Sequence, residues 1–86
     1  MSKDNSFDFL VDTLLSIKTK KELQDFLSGI FTPQEMEEIP TRLQIVKKLK
    51  QGVPQHQIAK ELNVGVATVT RGSKEIQKGR FSNIKQ

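Results

Sequence analysis

Apolar residues recur three or four positions apart along nearly the whole chain, and sustained alternation with a period of two occurs nowhere. Such spacing places apolar side chains on one face of a helix, whereas alternation would favour strands. The sequence therefore predicts an all-α protein. At 86 residues the chain is long enough for one domain, yet so short that a partner chain would help it to bury apolar surface.

Helix boundaries in the N-terminal half are marked by apolar stripes and capping residues. A first helix is predicted from about Ser6 to Ile17, and Thr19 begins a second, short helix because Thr-Lys-Lys-Glu has the spacing of a capping box. Gly29 is expected to end that second helix, since glycine adopts the left-handed turn at a helix end without steric cost. The supporting apolar stripes are Phe7, Leu10, Val11, Leu14 and Leu15, followed by Leu23, Phe26 and Leu27.

The clearest helix-start signal is Thr-Pro-Gln-Glu at residues 32–35, with a threonine cap, a proline at the first helical position and a glutamate at the third. This third helix should end near Gly52 and Pro54, with a kink or an irregularity at Pro40. Ile45 widens its apolar surface beyond a single stripe, so we expect the helix to pack on two sides. The stripe itself consists of Met36, Ile39, Leu43, Val46 and Leu49.

Charge is unevenly distributed along the chain. Residues 1–39 carry four lysines and eight acidic residues, a net charge of −4, whereas residues 40–86 carry ten basic and two acidic residues, a net charge of +8. A basic half of this kind favours binding to a polyanion, and leaves the acidic half to hold subunits together. On charge alone, an ordinary solvated surface is the alternative.

Composition excludes several classes of function. Cysteine is absent, which rules out disulfides, thiolate metal sites and cysteine nucleophiles. His56 is the single histidine, so we interpret it as a surface or DNA-facing residue rather than a catalytic base or metal ligand. The acidic residues Glu35, Glu37 and Glu38 suit a helix start better than a metal site, and we predict neither an enzyme nor a metal site.

A cytoplasmic location without membrane contact is expected, because no apolar run is long enough to span a membrane and the N-terminus lacks a secretory pattern.

The segment after Pro54 has the spacing of a helix-turn-helix. Two predicted helices, 55–62 and 66–79, are separated by three residues. Helices that cross steeply need a small residue where they touch, supplied by Ala59, and a residue that tolerates positive φ in the turn, supplied by Asn63. The apolar anchors beneath are Ile58, Leu62, Val64 and Val69.

With these anchors inside, the second helix presents short side chains at its N-terminal end, the part that enters a major groove. Valine and alanine can contact thymine methyl groups, and threonine or glutamine can reach bases or phosphates. The alternative is a pair of packed helices that serves as a scaffold without nucleic acid. The predicted DNA-contacting residues are Gln55, His56, Val66, Ala67, Thr68, Thr70 and Lys74.

Three segments resemble the bacterial Trp repressor family: Phe31–Glu35 (FTPQE), Thr41–Val46 (TRLQIV) and, above all, Val66–Ser73 (VATVTRGS). They occur in the same order and, apart from a one-residue deletion after Gly52, at the same spacing. The resemblance implies an intertwined, all-helical homodimer that binds a palindromic double-stranded DNA operator, with two reading heads about one helical turn apart. It divides the single domain into N-terminal helices and a dimerisation core at 1–53, a helix-turn-helix at 54–79 and a tail at 80–86.

The resemblance also implies a tryptophan corepressor, whose indole the family holds between two arginines. Arg42 and Arg71 match those arginines, and Thr32 matches a polar residue near the ligand's amino-acid group. A guanidinium stacks on an aromatic face and also binds a carboxylate, which suits an amino-acid ligand. Alternatively, Arg42 pairs with Glu38 on its own helix and Arg71 touches a DNA phosphate. The predicted effector-binding residues are Thr32, Arg42, Arg71, Gly72 and Glu75.

This chain departs from the family pattern at that site. Glu75 replaces a serine near the ligand's ammonium group, so its carboxylate either pairs with that ammonium or bridges to Arg42 or Arg71 and closes the site. The C-terminal helix that completes the family's dimer is short or absent after Gly79. The expected function is a sequence-specific DNA-binding transcriptional repressor, gated by L-tryptophan or a related small effector or requiring none. The alternative is a helical dimerisation or adaptor module that retains the fold without ligand-gated DNA binding.

Overall fold

The computed structural model describes residues 3–85, with side chains described from residue 5. Within this range every regular element is a helix, which confirms the predicted all-α class. The five helices are α1 (Lys3–Ser16), α2 (Lys20–Ile30), α3 (Pro33–Lys50), α4 (Gln55–Leu62) and α5 (Val66–Gln77). None of the helices in the described range is both long enough and apolar enough to span a membrane.

The chain divides into two compact units, Met1–Gln34 and Glu35–Gln86. The first unit contains α1 and α2, and Thr19 caps α2 as predicted. The backbone N–H of Glu22 donates to Thr19 Oγ1 at 3.1 Å, and the Thr19 hydroxyl donates to Glu22 Oε1 at 3.3 Å. Because Glu22 meets the hydroxyl, the two side chains of this cap support each other.

α2 ends near Gly29, as predicted, but Gly29 does not adopt the expected left-handed conformation. The helix continues to Ile30, and Phe31 ends it in an extended conformation with φ −86° and ψ 142°. The N–H of Phe31 still donates to the Leu27 carbonyl, so the last turn is complete without a left-handed residue. Pro33 starts α3 two residues later, and the restriction that a proline places on the residue before it applies to Thr32.

The core of the second unit lies where α3, α4 and α5 meet. Ile58 and Val69 are fully buried, and Ile45 is 1% exposed. Ala59 is also buried, so the small residue predicted between the crossing helices lies inside the core. Apolar side chains packed around this cluster are Leu49, Val53, Leu62 and Val64.

The buried side of α3 differs from the predicted stripe. Ile45, placed to the side of that stripe, belongs to the central core cluster, and Val46 of the stripe is buried as predicted, whereas Met36 and Leu43 are exposed. Helical spacing identifies the apolar positions but cannot tell which of two apolar sides this chain's own helices will cover. The helix also continues through Pro40 without a break.

Three helices end with a residue in the left-handed region. Gly52 after α3, Asn63 after α4 and Gly79 after α5 have φ values of 84°, 54° and 96°. The N–H of Gly79 donates to the Ile76 carbonyl at 2.9 Å, one of the hydrogen bonds of a Schellman motif. The roles predicted for Gly52 and Asn63 are confirmed, while α5 ends two residues before Gly79, at Gln77.

Candidate functional site

The N-terminal end of α5 presents a short-chained surface to solvent. Val66 is 51% exposed, and Ala67 and Thr68 are exposed beside it. Val69, the next residue, is fully buried, so the helix is anchored directly beneath its exposed end. We call the exposed residues Val66–Thr68 the reading face. Its side chains extend little from the backbone, so the helix itself can approach a partner closely.

A polar pair joins α4 to α5, between Gln55 at the start of α4 and Thr70 in α5. The Thr70 hydroxyl donates to Gln55 Oε1 at 2.7 Å, and both side chains are partly buried. Because the carbonyl oxygen of Gln55 accepts this hydrogen bond, its amide N–H groups remain available as donors. These two predicted DNA contacts therefore form one unit, in which Thr70 orients Gln55.

The N-termini of α4 and α5 are also suited to bind an anion. No side chain hydrogen-bonds to the N-terminus of α4 or of α5, where Pro54 and Gly65 are the caps. Free backbone N–H groups and the positive end of the helix dipole attract phosphate. The predicted contacts His56 and Lys74 are exposed, as is Lys60 on α4.

An ion pair fastens α4 to α3 behind this surface. Lys48 Nζ lies 3.0 Å from Glu61 Oε1, and Gln57 Nε2 donates to Glu61 Oε2 at 3.0 Å. The hydrogen bond from Gln57, together with the Lys48 ammonium, holds the pKa of Glu61 below its ordinary value of 4.5. The carboxylate therefore stays ionised and keeps α4 in place at neutral pH.

A cavity of about 310 Å³ lies between α3 and α5. We call it the effector cavity, because four of the five predicted effector-binding residues line it. Thr32, the fifth, belongs to the first unit and remains a prediction. The lining residues are Arg42, Ile45, Val46, Thr68, Arg71, Gly72, Glu75 and Phe81.

Gly72 lies where α5 packs closely against α3. A methyl group added at its Cα would lie 3.3 Å from Ile45 Cγ2 and 3.5 Å from Leu49 Cδ1. The first distance is tighter than ordinary van der Waals contact, so the absence of a side chain permits this packing.

Glu75 pairs with the residues that follow α5, an arrangement that the sequence analysis did not consider. Its Oε2 accepts from Arg80 Nε at 3.0 Å, and its Oε1 lies 3.6 Å from Lys78 Nζ. Burial raises the pKa of Glu75, but the two cations together lower it below its ordinary value. Arg42 instead lies 4.0 Å from Glu38 on its own helix, as the alternative interpretation had it.

Phe81 is the cavity residue that sequence reasoning missed. The tail had too little apolar content to predict a structure, yet Phe81 lines the effector cavity and is half-buried. A signal was present in retrospect: Gly79 allows a reversal of the chain, and an aromatic residue follows two positions later. Across the described part of the chain, no acidic or histidine cluster could hold a metal ion.

Comparisons with known proteins identify the family of this chain. The family model described as Trp repressor protein matches residues 5–83. A Trp operon repressor homologue of Vibrio vulnificus (strain YJ016) is 38% identical over 69 residues, which cover 79% of this chain and 68% of the relative. The Vibrio cholerae serotype O1 homologue is 36% identical over 69 residues, covering 79% of this chain and 67% of the relative.

A third relative is more similar over a shorter stretch. The Trp operon repressor homologue of Aliivibrio salmonicida (strain LFI1238) is 46% identical over 55 residues, or 63% of this chain and 51% of the relative. No solved structure matches the chain. The family match covers both units, including the helix-turn-helix and the cavity. The chain therefore belongs to the Trp repressor protein family, a family of DNA-binding transcriptional repressors rather than enzymes.

Proposed function

We propose that this protein is a sequence-specific transcriptional repressor that inserts the start of α5 into the major groove of its operator. The observation that carries the proposal is the exposed reading face, Val66–Thr68, directly above the fully buried Ile58 and Val69. A helix presented in this way can approach base edges without unfolding its own support. Readout by methyl contacts and short hydroxyls leaves part of the specificity to ordered water and to DNA shape.

The charge of the second half supports a nucleic-acid partner. Residues 40–86 carry a net charge of +8, and each lysine or arginine that reaches a phosphate releases counterions. Operator affinity should therefore fall steeply with salt. Gln55, held by Thr70, and the uncapped starts of α4 and α5 supply the contacts that set the register of the protein on the DNA.

The repressor acts as a homodimer in this proposal. α1 exposes large apolar side chains, with Phe7 at 68%, Phe9 at 64% and Leu15 at 78% exposure. Exposed apolar surface of this kind on a short helix marks an interaction site. A second copy of the same chain is the occupant that fits a family of symmetric repressors, and it would double the DNA contacts.

The ligand proposed for the effector cavity is L-tryptophan or a close relative. The relatives are Trp operon repressor homologues, and Arg42 and Arg71 both line the cavity. Two guanidiniums suit a planar ring that carries a carboxylate. The volume of about 310 Å³ lies at the lower end of the range for small-molecule sites, about 300–1,000 Å³.

Selection of duplexes from a random library, followed by fluorescence anisotropy on the enriched sequence, tests DNA recognition. Wild-type protein should enrich a palindrome and bind it less tightly as salt rises. Thr68→Ala should weaken binding by about 5- to 150-fold if the hydroxyl contacts a base. Thr41→Ala, the same change on α3, is the matched control. Weak, salt-insensitive binding to every duplex would leave only an adaptor module that dimerises without reading DNA.

Ligand binding can be followed without a label, because the chain contains neither tryptophan nor tyrosine. The indole emission of added L-tryptophan should change on binding, and Arg71→Ala should reduce its affinity, whereas Lys21→Ala on α2 should not. Operator affinity measured with and without tryptophan then tests gating. Tight operator binding with no change in indole emission would identify a ligand-independent repressor.

A further inference from the structure

We propose that the C-terminal turn, residues 78–84, is a wall of the effector cavity and that Phe81 determines which aromatic ring the cavity accepts. The inference rests on the proposed ligand-binding function and adds a specificity residue from a segment outside the helix-turn-helix. It assigns Glu75 and Arg80 a positioning role, in which they hold Phe81 rather than the ligand. The class of ligand is an amino acid with an aromatic side chain.

The chain reverses direction immediately after α5. The N–H of Arg80 donates to the Glu75 carbonyl at 3.1 Å, which completes the Schellman motif around Gly79. Phe81 then adopts φ 63°, a left-handed conformation that is unfavourable for a bulky L-residue. Two left-handed residues so close together turn the backbone over the cavity. Such strain persists only where the surroundings hold the residue in place.

Two clamps provide that support. The Lys50 ammonium at the end of α3 donates to the carbonyls of Phe81 and Ile84, with an Nζ to Ile84 oxygen distance of 2.8 Å. On the other side, Arg80 Nε donates to Glu75 Oε2 at 3.0 Å. One clamp joins the turn to α3 and the other joins it to α5, which are the two helices that border the cavity. The backbone of the turn at Phe81 is therefore held from both helices.

This geometry explains how the cavity accommodates Glu75, the glutamate that departs from the family pattern. Lys78 and Arg80 neutralise the Glu75 carboxylate, so it does not act as an unpaired negative charge facing the ligand. The other residues that line the cavity include two arginines and one aromatic residue, Arg42, Arg71 and Phe81. A planar ring can contact the phenyl ring, and the ligand's carboxylate can bind a guanidinium.

Titration of Phe81 variants with L-tryptophan and 5-methyltryptophan, followed by indole emission, tests the proposal. Phe81→Ala should weaken the binding of L-tryptophan by about tenfold, because an aromatic contact and buried apolar area are both lost. It should also raise the affinity ratio of 5-methyltryptophan to tryptophan, since the cavity becomes wider. Phe81→Leu should retain more of the affinity, and Ser82→Ala in the same turn should change neither quantity.

Arg80 variants separate positioning from direct contact, because Arg80 does not line the cavity. Arg80→Ala should raise the affinity ratio of 5-methyltryptophan to tryptophan, as Phe81→Ala does. Arg80→Lys should bring this ratio part of the way back to the wild-type value. Combined with Phe81→Ala, the Arg80→Ala change should have little further effect, the non-additivity expected when one residue acts through the other. Circular dichroism of each variant verifies that helix content is retained.

Two results would overturn the inference, and they differ in what else they overturn. In the first result, wild-type protein binds tryptophan, but Phe81→Ala and Arg80→Ala change neither the affinity for tryptophan nor the affinity ratio of 5-methyltryptophan to tryptophan. The C-terminal turn is then not a wall of the cavity, and the proposal of ligand gating still stands. If wild-type protein binds its operator but no aromatic amino acid, ligand gating and the role of Phe81 both fail, and the DNA-binding proposal stands.

Discussion

At the scale of single residues, the second unit depends on side chains that are small or that hold a neighbour. Gly72 lets α5 lie against Ile45, and Thr70 directs the amide of Gln55. Neither role is visible in residue type alone, because a glycine in a helix is usually a liability and a threonine near DNA suggests a direct contact.

Glycine-to-alanine substitutions in two helices should have different effects on stability. Gly29→Ala in α2 adds a methyl group with no atom within 4 Å, so it should stabilise the fold by about 0.4–1 kcal/mol. Gly72→Ala should lose this gain, because the new methyl group meets Ile45 at 3.3 Å. Urea denaturation at one fixed protein concentration measures both. Equal stabilisation by the two variants would contradict the close approach of α5 to α3.

The Gln55–Thr70 pair should appear as coupling in operator binding. Gln55→Ala and Thr70→Val should each weaken binding, and the double variant should lose clearly less than the product of the two single losses. The reason is that the Thr70 hydroxyl acts through the glutamine. Anisotropy titrations of the four proteins on one duplex measure the coupling, and strictly multiplicative losses would show that each side chain contacts DNA independently.

At the scale of elements, the helix ends and one ion pair fix the geometry of the helix-turn-helix. Asn63 turns the chain between α4 and α5 with φ 54°, and Lys48 holds Glu61 so that α4 stays on α3. Both features lie outside the reading face. Substitutions at Asn63 or in the Lys48–Glu61 ion pair should alter DNA affinity by changing the angle between α4 and α5. They should also change the stability of the protein.

Asn63→Val should destabilise the protein by about 1–2 kcal/mol, since a β-branched residue opposes the left-handed conformation. Asn63→Gly should be close to neutral, because glycine adopts this conformation readily. Thermal and urea unfolding compare the two variants. Similar losses for valine and glycine would indicate that the asparagine side chain, and not its backbone conformation, is what the turn requires.

Glu61 should make stability depend on pH in the acid range. Its folded pKa lies below 4.5, so its contribution is present above about pH 4.5 and is lost as the pH falls through that lowered pKa. Glu61→Gln should therefore be less stable than wild type at neutral pH, and the difference should shrink in acid. Glu37→Gln, on an exposed position of α3, is the control. A wild-type advantage that persists at pH 2 would contradict the ion-pair explanation.

At the scale of the whole molecule, the uncovered apolar residues of α1 connect the fold to assembly. A chain of this size buries little apolar surface by itself, and the acidic first half has no other proposed role. Two copies of the basic second half, joined through α1, would present two reading faces to one duplex. Dimer formation and operator affinity should then be lost together.

Leu15→Glu should shift the protein from dimer to monomer, with a dissociation constant raised at least about tenfold by the loss of a buried leucine. Ser16→Glu adds the same charge at an exposed polar position on the same helix and should leave the dimer intact. Light scattering after size exclusion gives the mass, and anisotropy gives operator affinity. A Leu15→Glu dimer of wild-type stability would place the interface elsewhere.

The local features of this protein could be predicted from its sequence. Apolar spacing and capping chemistry located the five helices, the turn at Asn63 and the buried Ile58 and Val69, because these depend on residues within one or two turns of each other. The same information predicted the short exposed side chains of the reading face. It also named Arg42 and Arg71, but only through resemblance to a family.

Only the tertiary structure decided which groups meet across the chain. Lys50 is 31 residues from Phe81, and no periodic pattern joins an ammonium to a carbonyl at that distance. The sequence also left open which cation pairs with Glu75, because several basic residues were available. It left open which side of α3 is buried, because that helix has two apolar sides. Local hydrogen bonds and sterics specify helices and their ends, whereas the choice among distant partners follows from how those helices pack.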